Sequence, residues 1–196
     1  MKFDSKKEVA LFGTSADPPT IGHEKIIEEL SKNYSLIIIY ASDNPKKIHR
    51  ENIFFRSLLL KTLIKNLNRS NIIFDQNISS PWAIESVQKC KEIYSLTRID
   101  FVIGSDLISD IFNWKNCDKL LQQVKLNIIK RDGYPINANS LGILKAKKVD
   151  YEISSLNIPN ISSSMVRLNK KYSDLPKSLV DIVKKNNLYL SNKTVE

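Results

Sequence analysis

A glycine- and hydroxyl-rich segment near the amino end contains residues suited to binding phosphate. After an apolar run, the chain reads Gly13-Thr14-Ser15-Ala16-Asp17-Pro18-Pro19-Thr20-Ile21-Gly22-His23. Glycine and small hydroxyl residues let the backbone approach a ligand closely, and Thr20 is suited to cap a following helix. Thr20 and His23 would then lie on the first helical turn, where unpaired N–H groups and the helix dipole favour phosphate. The segment therefore predicts a phosphate-binding loop that leads into a helix.

A serine cluster near the carboxyl end predicts a second part of the same anion site. The sequence there is Ile161-Ser162-Ser163-Ser164-Met165-Val166-Arg167. Serines at a helix start supply caps and leave backbone amides free, and an arginine one turn later can reach back to the same anion.

A glycine, a carboxylate and a tryptophan follow another apolar run. Gly104 and Asp106 come directly after that run, and Trp114 stands eight residues beyond Asp106. A carboxylate at the end of a buried strand can accept hydrogen bonds from ribose hydroxyls or loop amides, and an indole offers a stacking face. This third motif predicts contacts with a nucleoside or another ring.

The segments that must position these motifs alternate between short apolar runs and amphipathic stretches. Most of the runs are continuously apolar, as strands buried on both faces are, which predicts strands at Val9–Phe12, Leu36–Ala41, Ile72–Phe74, Asp100–Ile103, Leu126–Ile129 and Val149–Ile153. Helical spacing predicts helices at Ile21–Leu30, Phe54–Leu67, Ala83–Tyr94 and Ser178–Leu190. This alternation predicts a single α/β domain over residues 1–196, a doubly wound parallel sheet with closing helices at about 162–190. Ligands of such sheets bind beyond the carboxyl ends of the strands, where the three motifs would meet.

The composition argues against several other classes of protein. Of 196 residues, 42% are hydrophobic and 26% are charged, which is ordinary for a globular chain, and no apolar run approaches the roughly 18 residues of a membrane span. The net charge is +9, but the basic residues are scattered, so we expect no nucleic-acid partner and no membrane. Cys90 and Cys117 are too few for a disulfide framework and fit no metal-ligand spacing. With no secretory signal visible at the amino end, we expect a cytoplasmic location.

Together, the motifs resemble the signature of the nucleotidylyltransferase superfamily, in which a strand, a glycine-rich loop and [His or Thr]-x-Gly-His cradle the triphosphate of an NTP. Within it, the chain resembles above all the bacterial nicotinate-nucleotide adenylyltransferases. Two positions depart from that pattern: Ala16 stands where Phe is usual, and Thr20 where the first His is usual, although Thr occurs there in sister families. The resemblance implies a Rossmann-like fold and transfer of AMP from ATP to nicotinate mononucleotide. It also implies Mg²⁺ held mainly by the ATP phosphates, with no set of protein ligands.

The resemblance also implies roles for individual residues. Thr20, His23 and Arg167 would be catalytic, with His23 stabilising charge on the α-phosphate. The ATP-binding residues would be Gly13, Thr14, Ser15, Gly22, Gly104, Asp106, Ile161, Ser162 and Ser163. The mononucleotide would contact Lys47, Ala83, Trp114 and Arg131, with Trp114 stacked on the pyridine ring and Ala83 in place of a Thr beside the nicotinate carboxylate.

Other functions stay open at this stage. The acceptor could be nicotinamide mononucleotide or phosphopantetheine, whose adenylyltransferases carry Thr-x-Gly-His as this chain does, although a pantetheine arm offers no ring for Trp114. The chain could instead be a module that senses nucleotides without turnover, against which the retained His23 and Arg167 argue. A nucleic-acid-binding role would show as steep salt dependence. The sequence also leaves a homo-oligomer open.

Overall fold

One parallel sheet of six strands organises the part of the chain described by a computed structural model, residues 8–158, 161–169 and 172–189. The strands are β1 (Val9–Thr14), β2 (Leu36–Ala41), β3 (Ile72–Phe74), β4 (Asp100–Gly104), β5 (Lys125–Arg131) and β6 (Tyr151–Ile158). They lie in the order β3-β2-β1-β4-β5-β6, and all neighbours are parallel. The predicted doubly wound α/β fold is confirmed.

The helices cover both faces of this sheet. They are α1 (Ile21–Asn33), α2 (Ile53–Leu67), α3 (Ala83–Tyr94), α4 (Cys117–Gln123), α5 (Ala138–Ala146), α6 (Ser163–Asn169) and α7 (Lys177–Lys185). Short 3-10 turns lie at Gln76–Ile78, Ser105–Leu107, Ile111–Asn113 and Tyr172–Asp174. The helix predicted at Ser178–Leu190 extends too far, since α7 spans Lys177–Lys185. Asn187, just beyond its end, adopts a left-handed conformation. The predicted end of the helix, Leu190, lies outside the described residues.

Two hydrophobic clusters pack on opposite faces of the sheet. Side chains alternate across each strand, so that in β2 Ile37 and Ile39 enter one cluster and Ile38 enters the other. The first cluster, which we call the α1 face, also receives apolar residues of α1, α2, α6 and α7. The second, the α3 face, receives those of α3, α4 and α5. Burial on both faces explains the continuously apolar strands.

The sheet opens where the strand order reverses. Strand β1 pairs with β2 along its whole length, from Val9 to Thr14, but with β4 only at Ala10 and Leu11. Beyond these pairs, β1 and β4 continue to Thr14 and Gly104 without pairing to each other. Their carboxyl ends therefore part at the switch point, where sheets of this kind bind ligands.

Cys90 and Cys117 are both buried, and both are free thiols. No helix within the described ranges is long and apolar enough to cross a membrane.

Candidate active site

A cleft of about 540 Å³ opens at the parted ends of β1 and β4. Its walls come from the loop after β1, the segment after β2, the start of α3, the turns after β4 and the segment leading into α6. Every residue that the sequence predicted for the site lines this cleft: Gly13, Thr14, Ser15, Thr20, Gly22, His23, Lys47, Ala83, Gly104, Asp106, Trp114, Arg131, Ile161, Ser162, Ser163 and Arg167. The three motifs do meet, as the topology required.

The imidazole of His23 is fixed by hydrogen bonds at both ring nitrogens. Its Nδ1 accepts from the Thr20 backbone N–H at 3.0 Å and lies 2.9 Å from the Thr20 hydroxyl. Its Nε2 lies 3.0 Å from the Thr14 hydroxyl. Since a backbone amide can only donate, Nδ1 is the acceptor and the proton of the neutral ring is on Nε2. His23 therefore presents an N–H donor beside Thr14, at the end of β1.

The surroundings of His23 keep it neutral. Burial, with a smaller contribution from the positive charge of Arg131, lowers the pKa of His23 to about 4. At neutral pH the side chain is thus a polar donor without a charge, and any positive charge offered to a ligand must come from the arginines and lysines of the cleft.

Thr20 is completely buried and acts within the protein. It precedes α1 as its cap, and its hydroxyl and backbone N–H both contact the His23 ring. This geometry favours a role in orienting His23 over direct contact with phosphate.

Glycine is required at the floor of the cleft. A Cβ on Gly13 would lie 2.5 Å from the buried Tyr40 ring, and one on Gly104 would lie 2.2 Å from Oδ1 of Asp106. The Tyr40 ring is fixed by burial, whereas the Asp106 carboxylate could move only by leaving its place beside Arg131. Glycine at these two positions therefore allows the Tyr40 ring and the Asp106 carboxylate to pack directly against the backbone at the ends of β1 and β4.

The serine cluster forms the predicted capped helix start. The Ser162 hydroxyl accepts from the Met165 N–H at 3.1 Å, and the Ser163 hydroxyl donates to the Pro18 carbonyl at 2.8 Å. Arg167 donates to the Asp17 carbonyl, and its other guanidinium nitrogen lies 3.1 Å from the Ser164 hydroxyl. These bonds tie α6 to the loop after β1 and bring the two phosphate-type motifs into one wall.

Arg131 and Asp106 form an ion pair across the ends of β5 and β4, with 2.8 Å between Nη1 and Oδ2. Arg131 also lies 3.4 Å from the Ile161 carbonyl, so it connects the pair to the segment before α6. The second carboxylate oxygen of Asp106 is buried and has no hydrogen-bond partner among the described residues. It is an unsatisfied acceptor on a residue that lines the cleft.

Two tryptophans lie at the other end of the cleft. Trp114 packs edge-to-face on Phe101, and its indole N–H donates to Asp110 at 2.9 Å. Trp82 lines the same cleft, next to Ala83 at the start of α3. The sequence analysis did not select Trp82 as a site residue.

The predicted phosphate contact Lys47 is exposed at the rim of the cleft. Its neighbour Lys46 reaches further, since its ammonium lies 3.5 Å from the Asn113 carbonyl, beside Trp114. Both lysines thus face the cleft, but only Lys46 extends to its opposite side.

Two buried charged residues hold the loops around the cleft and were not selected as site residues. Arg56 on α2 is 1% exposed and forms a 2.6 Å ion pair with Asp43. Its guanidinium also donates to three backbone carbonyls, those of Ser15, Ser42 and Glu51. The Asp17 carboxylate accepts from the backbone N–H groups of Arg50 and Glu51. The motif string contained Asp17, but only the return of the segment 42–51 to this loop reveals its partners.

Comparison with known proteins agrees with this geometry. Residues 11–169 match the family model described as Cytidylyltransferase-like. A Synechocystis protein named "Probable nicotinate-nucleotide adenylyltransferase" is 29% identical over 197 residues, covering 93% of this chain and 98% of that protein. A Helicobacter pylori protein of the same name is 34% identical over 135 residues, covering 65% of this chain and 77% of that protein. The structure of Plasmodium falciparum nicotinic acid mononucleotide adenylyltransferase complexed with NaAD superposes with a TM-score of 0.76 at 26% identity, covering 93% and 97% of the two chains.

The fold and the cleft at its switch point are those of a nucleotidyltransferase, and the chain belongs to the cytidylyltransferase-like family. Within that family it belongs with the nicotinate-nucleotide adenylyltransferases, with which it shares about a third to a quarter of its residues over most of their length.

Proposed function

We propose that this protein transfers the AMP group of ATP to nicotinate mononucleotide, giving nicotinate adenine dinucleotide and pyrophosphate. The observation that carries the proposal is the single cleft in which His23 and the serine–arginine motif lie at one end and two tryptophans at the other. One end suits a triphosphate and the other suits an aromatic ring. The names of the relatives agree with this assignment.

The reaction needs no nucleophile from the protein. An oxygen of the acceptor 5′-phosphate attacks the α-phosphorus of ATP, the bond from that phosphorus to the β-phosphate oxygen breaks, and pyrophosphate leaves. Catalysis then consists of aligning the two substrates and stabilising the charge that develops on phosphate oxygens.

His23 is the residue that we assign to the α-phosphate. Its Nε2–H, now directed at the Thr14 hydroxyl, would donate to an α-phosphate oxygen, and Thr14 would be a second donor beside it. Because Thr20 fixes the ring from the Nδ1 side, the donor is held in place before substrate binds. Fixed donors of this kind stabilise a transition state without reorganising.

The leaving pyrophosphate would lie against the start of α6. Ser162, Ser163 and Arg167 line the cleft there, and Arg131 contributes a second guanidinium. The free oxygen of Asp106 would accept from a ribose hydroxyl, while its other oxygen holds Arg131.

Mg²⁺ would enter as part of the nucleotide substrate. Within the described parts of the chain, no three His, Cys, Asp or Glu side chains cluster as metal ligands. Phosphate oxygens and water are ligands that Mg²⁺ readily accepts, so this site suits an ion carried by ATP. The ion supplies positive charge for the departing pyrophosphate, in addition to that of Arg131 and Arg167.

The ring end of the cleft favours a pyridine nucleotide over phosphopantetheine. Trp114 and Trp82 offer aromatic faces that a pantetheine arm would not use. Helix α3 begins at Ala83 without a side-chain cap, so the first amides of that helix are available to a carboxylate.

We place the reaction in the cytoplasm, since the two cysteines are free thiols, and we propose no nucleic-acid partner.

The test is pyrophosphate release from ATP and Mg²⁺ with nicotinate mononucleotide, nicotinamide mononucleotide and phosphopantetheine offered separately. We expect turnover with the pyridine nucleotides and the highest kcat/KM with the acid. Turnover with phosphopantetheine and with neither mononucleotide would make phosphopantetheine the acceptor. Tight binding of ATP with no pyrophosphate released for any acceptor would favour a sensing module.

A further inference from the structure

We propose that Lys115 determines the preference for the acid over the amide acceptor by placing a positive charge near the pyridine 3-carboxylate. The inference rests on the proposed function. It names a specificity-determining residue that the sequence analysis did not select, since a single lysine after a tryptophan carries no distinctive pattern.

Lys115 lines the end of the cleft that carries the two tryptophans. It directly follows Trp114, lines the same cleft, and its ammonium is 4.9 Å from the centroid of the Trp82 ring. A pyridine ring stacked on Trp114 would therefore have this cation beside it. The other lysine that reaches this end, Lys46, is directed to the Asn113 carbonyl.

Glu85 holds Lys115 in this position. The Lys115 ammonium lies 3.2 Å from Oε1 of Glu85, and the other carboxylate oxygen accepts from the Ser80 hydroxyl at 2.9 Å. An ammonium group has three donors, so Lys115 can keep Glu85 and still donate to an acceptor carboxylate. Glu85 stands on the first turn of α3, two residues after Ala83, and thus directs the lysine toward the end of the helix where the ring substituent would lie.

The charges explain why Lys115 would discriminate between the two acceptors. A carboxylate forms an ion pair with the ammonium, whereas a neutral carboxamide can accept a hydrogen bond from it through its oxygen but gains no attraction between opposite charges. Ala83 has no hydroxyl, so the cation would supply an interaction that its side chain does not. Lys115 is 45% exposed, and we therefore expect an effect of about three- to tenfold, between that of an exposed ion pair and that of a buried charged hydrogen bond.

The experiment measures kcat/KM for both mononucleotides in the full chain and in four variants, one of them a control. Lys115→Gln should lower the acid-to-amide ratio about three- to tenfold, and Lys115→Arg should largely retain it. Glu85→Gln removes the carboxylate that holds the Lys115 ammonium at this end of α3, so it should also lower the ratio, by less than Lys115→Gln does. Lys147→Gln is the matched control, because Lys147 is 43% exposed, forms a 2.8 Å ion pair with Asp118, and does not line this cleft.

Salt gives a readout that a merely structural role would not change. Raising the ionic strength from about 0.05 to 0.5 M should reduce the acid preference of the parent protein and have little effect on that of Lys115→Gln. An unchanged ratio in Lys115→Gln, with parent-like folding, would overturn the inference while leaving adenylyl transfer to the acid intact. If the parent turns over neither mononucleotide, the proposed function itself fails.

Discussion

The backbone N–H of Thr20 donates to Nδ1 of His23 across the first turn of α1, at 3.0 Å. The bond both caps the helix and selects the tautomer, because an Nδ1 that accepts leaves the proton on Nε2. The residue at position 20 can therefore orient His23 through its backbone N–H, whichever side chain stands there. This explains how Thr20 can serve at a position where the sequence resemblance predicts histidine.

His23→Ala should lower kcat by about 10²–10³-fold, since it removes one preorganised donor to the α-phosphate. The fold should survive, because the helix and its packing through Ile26 and Ile27 are unchanged. Steady-state kinetics and a thermal melt of both proteins provide the check. Turnover close to that of the parent would mean that His23 serves only to cap α1.

The stability of the protein should fall between pH 6.5 and pH 4 because of His23. Its pKa of about 4 lies below the unfolded value of 6.5, so over this range the unfolded chain binds a proton that the folded chain does not. The loss amounts to about 3 kcal/mol when complete. Urea unfolding at pH 7 and at pH 4.5 should show a larger decrease for the parent than for His23→Gln. Equal decreases in both proteins would contradict the depressed pKa.

Arg167→Lys should raise the KM for ATP about five- to tenfold and change the KM for the mononucleotide little. Lysine keeps the charge, but it loses the planar fork that contacts both Asp17 and Ser164. Arg98→Lys is the control, because Arg98 is 70% exposed and paired with Asp150, outside the cleft. Parent-like ATP kinetics in Arg167→Lys would remove this residue from the nucleotide site.

Trp114→Ala should raise the KM of the acid and of the amide acceptor alike, by about tenfold, and leave the KM of ATP nearly unchanged. The reason is that both pyridine rings can stack on the indole, and such stacking is worth about 1–3 kcal/mol per ring. Trp114→Phe should restore much of the affinity. The measurement is the KM of each substrate in turn. A change confined to the KM of ATP would mean that Trp114 contacts ATP and not the pyridine ring.

Arg56→Met should destabilise the fold by about 2–4 kcal/mol, mainly because the carbonyls bonded to this buried guanidinium lose their donor, since its partner Asp43 is 56% exposed. The substitution removes the ion pair with Asp43 and the donors to the backbone carbonyls of Ser15 and Ser42, which follow the adjacent strands β1 and β2. Urea unfolding measures the loss. Arg69→Met, at an exposed position just after α2, should change stability by less than about 0.5 kcal/mol. A small effect at Arg56 would show that the surrounding loops are held by other contacts.

The sequence predicted the central elements better than those at the periphery. Strand β2 has the predicted bounds because all its residues are buried, and α3 has them because its apolar spacing runs unbroken from Ala83 to Tyr94. Strand β6 was predicted at Val149–Ile153 but spans Tyr151–Ile158. It lies at the edge of the sheet, where a strand can carry polar residues such as Glu152, so its sequence contains no continuous apolar run that would mark its bounds. Helices α4 and α5 were missed because 7 and 9 residues are too few for a clear helical period.

For the site, local motifs were sufficient to find the residues that line the cleft, but not the contacts among them. The orientation of His23 depends on Thr14, nine residues earlier. The bonds of Asp17 and Arg56 depend on where the segment 42–51 lies in space, and the ion pair of Arg131 with Asp106 joins two different strand ends. Such long-range geometry follows from the packed sheet and has no counterpart in spacing along the chain.

The division of the core into two clusters has a consequence for how such enzymes can diversify. The phosphate motifs are carried by α1 and α6, which pack on the α1 face, whereas Trp82, Ala83 and Trp114 pack against the α3 face. Substitutions that repack α3 and α4 can reshape the ring end of the cleft while the parallel sheet insulates His23 and Arg167 from the change. A lineage could therefore exchange one acceptor for another by mutations on a single side of the sheet and retain its adenylyl-transfer chemistry throughout.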